Sequence, residues 1–166
     1  TTGQVQGPGQ PDFCDQIAPA QLQVGESLTL TGTVADATPQ GDFDPLSPFA
    51  GAPAKWHAVT TTSCTDLTIS YCGNSPVYST VFGAIFNSCP GQGEGISFST
   101  TSTCPDGNII YTWTSLPAGT YYIPVVYGPD AGSQGAYTIH VTADACFNDL
   151  CGSVTPSLLE IGSGLT

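Results

Sequence analysis

In the stretch DLTISYC, Leu67, Ile69 and Tyr71 alternate with Asp66, Thr68 and Ser70. An extended chain puts the first three on one face and the others on the opposite face. The same period recurs in AYTIHVT, where Tyr137, Ile139 and Val141 oppose Thr138, His140 and Thr142. Strand signals of this kind follow one another as LQVGESLTLTGTV, KWHAVTT, DLTISYC, TVFGAIF, GISFST, NIIYTWTSL, GTYYIPVVYG and GAYTIHVTA, with turn residues between them. No stretch of helical length keeps a helical spacing of apolar positions. Short strands with one packed face and one wet face predict an all-β fold, an antiparallel β-sandwich. The segment GDFDPLSPFAGAP, residues 41–53, holds too many prolines for a central strand and reads as an ordered loop.

The apolar pattern also repeats at long range. Laid without a gap over DFCDQIAPAQLQVGESLT, which begins at Asp12, the stretch DLCGSVTPSLLEIGSGLT, which begins at Asp149, matches at Asp12/Asp149, Cys14/Cys151, Pro19/Pro156, Leu22/Leu159, Gly25/Gly162, Leu28/Leu165 and Thr29/Thr166. Phe13/Leu150, Ile17/Val154 and Val24/Ile161 exchange one apolar residue for another. This is an internal repeat of one structural piece. It divides the chain into an N-terminal linker (1–11), a sandwich domain (12–146) and a tail (147–166) that restates the first strand as an extra C-terminal strand.

Composition narrows the function classes. Thirteen acidic residues against one basic residue, Lys55, give a formal charge of −12, which argues against nucleic acid or an anionic membrane as partner. The sequence has no apolar run long enough to span a bilayer. It begins in a polar Gly/Gln stretch without the look of a signal peptide, so it is read as a mature form. Seven cysteines without zinc-like spacing favour disulfides and an oxidising, extracellular or cell-surface location. The odd count leaves one thiol over or shared between chains.

Catalytic chemistry is hard to assemble from these residues. His57 and His140 belong to no nucleophile motif and read as ordinary solvated residues. No serine sits in a nucleophile elbow, and GQGEG, residues 91–95, lacks the helix and cation of a phosphate loop. Asp42 and Asp44, with Asp106 or Asp130 as distant candidates, offer oxygens to calcium. They read first as solvated loop acids, since their spacing lacks the full EF-hand pattern, and no other cofactor is indicated.

The run KWHAVTTTSCTDLTISYCGNSPVYSTVFGAIFNSC, then CPDG, LPAGTYYIPVVYG and GAYTIHV, resembles the bacterial pre-peptidase C-terminal domain family, over roughly residues 12–146. The resemblance implies a jelly-roll-like sandwich that accompanies secreted proteins without being a protease. It also suggests that Cys64 and Cys72 join neighbouring strands. Cys89 and Cys104 bracket a Gly-rich hairpin and are expected to pair. Cys14, Cys146 and Cys151 then remain, with Cys146 or Cys151 a candidate to bond Cys14 of a neighbouring chain.

Sandwich edges can recruit a further strand, and the tail is a portable copy of one. It could open a second domain, cover its own edge or insert into the next subunit. The expected function is non-enzymatic: an extracellular filament subunit that polymerises with copies of itself, through Leu22, Val24 and Leu28 and the tail residues Leu158, Leu159, Ile161 and Leu165. The alternative is a secreted accessory or binding domain of a larger enzyme or adhesin, with polysaccharide or protein as ligand.

Overall fold

The computed structural model describes residues 11–39, 43, 50–79, 83–89, 95–128 and 134–146. Ten strands are described: β1 (Ala20–Gln21), β2 (Ser27–Thr33), β3 (Ala54–Thr61), β4 (Thr65–Ser70), β5 (Ala84–Ile85), β6 (Ile96–Ser97), β7 (Thr100–Thr103), β8 (Ile109–Leu116), β9 (Gly119–Val126) and β10 (Ala136–Ala145). One sheet has the order β2-β10-β4-β8-β7 and is antiparallel throughout. The other has the order β1-β3-β9, with β1 parallel to β3. The pair β5-β6 reaches the second sheet through a bridge between Phe86 and Tyr122.

Alternation explains the five-stranded sheet. Leu67 and Ile69 of β4 and Tyr137, Ile139 and Val141 of β10 are buried, and Asp66, Thr68 and Ser70 are not. These side chains meet Val59 of β3 and Tyr121, Ile123 and Val125 of β9, so the main core lies between the sheets. Leu28 and Leu30 of β2 and Trp113 of β8 complete it.

Strand β3 departs from the one-wet-face pattern. Val59 faces the main core, while Ala54 and Trp56 point the other way into a second cluster with Cys14, Phe43, Phe86 and Val126. Ring centroids in that cluster are 5.1 Å apart for Phe43 and Trp56 and 5.8 Å for Trp56 and Phe86, within the range of favourable aromatic packing. Phe43, from the proline-rich segment, thus helps to cover the back of the three-stranded sheet.

Burial on both faces corrects the expectation for His57, which is fully buried. His57 Nε2 lies 2.8 Å from the Tyr137 hydroxyl across the core. His140 is exposed, with Nδ1 3.2 Å from Thr29 Oγ1. Lys55, the single basic residue, is also buried. Native protein should therefore resist trypsin, whereas reduced and unfolded chain should be cut after Lys55 into two fragments; a gel of timed digests checks this.

The described residues hold three disulfides, and they overturn the expected pairs. Cys64 bonds Cys146, Cys72 bonds Cys104 and Cys14 bonds Cys89. A Cys64–Cys72 bond is geometrically impossible. The two cysteines bracket the extended strand β4, at ~3.3 Å per residue roughly 25 Å apart, whereas a disulfide needs Cα atoms within about 7 Å. Continuing the β4–β10 register past Thr65↔Ala145 brings Cys64 opposite Cys146 instead. On the other side of β4, Tyr71 N–H donates to Ile109 O, which brings Cys72 to the turn before β8 that contains Cys104.

Candidate functional site

The residues that the tail restates form, in their first copy, a strap that docks onto the sandwich. Its contacts begin at Pro11, whose carbonyl accepts from Trp56 N–H at 3.2 Å. Asp12 Oδ1 lies 2.6 Å from Lys55 Nζ, with Asp36 Oδ1 3.3 Å from the same ammonium. Thr38 Oγ1 donates to Asp12 Oδ2. Burial alone would push the Asp12 carboxyl up, but the hydrogen bonds from Lys55 and Thr38 outweigh it and hold Asp12 below its ordinary value. Burial likewise works against the Lys55 ammonium, and its two carboxylate partners more than restore it, raising its pKa.

Next, Cys14 enters a 3-10 turn (Cys14–Gln16) and bonds Cys89, with Cα atoms 5.8 Å apart. The chain then extends as β1 alongside Val59 and Thr60, and Leu22 N–H donates to Thr60 O at 3.0 Å. The Leu22 side chain is fully enclosed in the main core.

A turn follows at Gly25, in the left-handed region at φ +84°, where residues with a Cβ are strained. Gly25 N–H donates to Ala143 O at 2.7 Å, and Glu26 O accepts from Ala143 N–H at 3.1 Å. From there β2 runs antiparallel to β10, with Leu28 in the core. Sequence alternation treats residues 22–34 as one strand and therefore places Leu22, Val24 and Leu28 on one face. The turn corrects this: Val24 is 40% exposed and lies outside the core.

Burial along the strap gives the repeat a physical meaning. Its buried residues from Asp12 to Thr29 are Cys14, Leu22 and Leu28, and all three recur identically as Cys151, Leu159 and Leu165. Asp12, the Lys55 partner, recurs as Asp149, and the turn residue Gly25 as Gly162. Ile17, packed against the second cluster, is matched by Val154. The other differences fall on exposed Asp15, Gln16, Ala18, Gln21, Gln23, Val24 and Ser27 and on half-buried Phe13, Ala20 and Glu26. What the tail repeats is a set of docking residues, more than a strand.

The remaining candidates are dispersed. Asp42, Asp44 and Asp130, and the tail residues Cys151, Leu158, Leu159, Ile161 and Leu165, lie outside the described residues. Asp106 braces a loop: Oδ2 accepts from Gly73 N–H at 2.6 Å and Oδ1 from Asn108 N–H at 3.1 Å. Among the described residues no three His, Cys, Asp or Glu side chains gather as metal ligands, and no helix is long and apolar enough to cross a membrane. Cys14 and Cys146, expected to be available to a neighbouring chain, are each bonded within their own. Comparison with protein-family models, with curated proteins and with solved structures gave no match, and none of these comparisons carries the pre-peptidase C-terminal resemblance.

Proposed function

We propose that the protein is a non-enzymatic, secreted subunit of an extracellular filament, joined head to tail when the tail of one copy takes the strap's seat on the next. The observation that carries this reading is the identity of the strap's buried residues with their sequence counterparts in the tail. A segment with the same core leucines, acidic residue, cysteine and turn glycine fits the seat that the strap occupies beside β3 and β10. Exchanging an equivalent element between copies costs little, because the lost contacts are replaced in kind. A tail-to-seat contact is heterologous, so it propagates instead of closing. Burial of Leu159 and Leu165 would contribute about 1.5–3 kcal/mol each before ordering costs, and backbone pairing along β3 would add to it. Three disulfides among the described residues fit an oxidising, extracellular setting.

A second reading, a secreted accessory or binding domain with polysaccharide or protein as ligand, draws on the same repeat. A tail with the strap's docking set could open a further copy of the sandwich within a larger enzyme or adhesin. Electron microscopy of the full chain and of a chain ending at Cys146 separates the two. The assembly reading expects filaments from the first and folded monomers from the second. Monomers from both would favour the accessory domain.

A further inference from the structure

Resting on the exchange reading, we infer that Cys151 of one copy attacks Cys89 of the next, expels Cys14 and leaves a covalent bond between subunits. Six of the seven cysteines are paired within the chain, and the seventh is the one that the repeat aligns with Cys14. Of the three disulfides, Cys14–Cys89 is the one that ties the strap to the rest of the sandwich. It is therefore the bond through which an incoming copy of the strap can lock its place covalently.

The step balances without an outside oxidant. The Cys151 thiolate attacks Cys89 Sγ, a new S–S bond forms between the chains, and the bond to Cys14 breaks. Cys14 leaves as a thiolate and takes up the proton that Cys151 gave up. One disulfide is consumed and one is made, as in any thiol–disulfide exchange.

Local geometry suits this direction of attack. Cys14 is buried within the strap, whereas Cys89 is half-buried, so the incoming sulfur meets Cys89 first. A tail seated like the strap would place Cys151 where Cys14 stands, whose Cα lies 5.8 Å from that of Cys89. That separation is within the ordinary span of a disulfide. The exchange also makes the joint directional: each copy offers its tail cysteine to one neighbour and its Cys89 to the other. The seventh cysteine thus gives the odd count a use.

The test is peptide mapping of filaments grown from the full chain, alkylated and then denatured without reductant. The inference expects a ladder on a denaturing gel that collapses to monomer with reductant, a peptide joining Cys151 to Cys89, and alkylated Cys14. Filaments of Cys151→Ser should still form but fall to monomers in denaturant, without a ladder. Filaments that keep Cys14–Cys89 and carry alkylated Cys151 would overturn the covalent step while leaving strand exchange standing, as would an unchanged ladder from the Cys151→Ser chain. A full chain that never assembles would overturn the exchange reading and the covalent step with it.

Discussion

Leu22→Asp should unfold the protein, whereas Leu159→Asp should leave it folded and unable to assemble. The two leucines are counterparts in the repeat, so the pair of variants separates a residue's role in its own sandwich from its role in a neighbour's. Leu22 is fully buried among core side chains. A carboxylate there is uncompensated, and it costs several kcal/mol on top of the lost apolar burial. Against a typical total stability of about 5–15 kcal/mol this is a large share. Leu159 lies beyond β10, the last of the described strands, which ends at Ala145. Its replacement should spare the thermal midpoint of the monomer and abolish filaments. Thermal unfolding of both variants, followed by sedimentation under assembly conditions, reads the two effects apart. Equal loss of stability from both substitutions would mean that the tail belongs to its own sandwich.

Acid should weaken the fold steeply, starting well above the carboxylate range. Burial pushes the His57 imidazole down to about 3 from its ordinary 6.5. Between those values the unfolded chain binds a proton that the folded chain refuses, so stability falls as pH drops from about 6.5 towards 3. The slope approaches about 1.4 kcal/mol per pH unit. Asp12 adds to the loss only lower down: its depressed carboxyl stabilises the fold above the ordinary carboxylate value, and that contribution fades as pH falls below it. The buried ring leaves Nδ1 without a hydrogen-bond partner among the described residues, while Nε2 meets Tyr137. His57→Gln keeps a polar group near the Tyr137 hydroxyl and cannot titrate. Guanidinium unfolding midpoints across pH 4 to 7 should slope for the parent and flatten for the variant. Parallel slopes would show that other groups set the acid response.

The antiparallel strands were legible because a strand with one packed face alternates visibly, as Leu67, Ile69, Tyr137 and Val141 do. β1 was not, since two residues in parallel contact with β3 carry no period of their own. His57 is not legible for the opposite reason: β3 is covered on both faces, so the neighbouring Trp56 and Val59 are both buried and no wet face identifies the side of the ring. Alternation misplaces Val24 because it runs through Gly25, where the chain turns. The disulfides depended on strand order. Cys64 and Cys72 are near in sequence, but β4 lies between β10 and β8, so each finds its partner across a different neighbour. The docking set itself was visible in the sequence as a repeat. Which repeated residues were buried, and that Asp12 met the single lysine, needed the packed structure.

A structure of the assembled filament tests the exchange most directly. In each subunit the seat beside Val59, Thr60 and Ala143 should be filled by residues 149–166 of the preceding copy, with Leu159 in the place of Leu22 and Gly162 at the turn against Ala143. Density showing each subunit's own residues 12–29 in that seat, with Leu22 still enclosed, would contradict it.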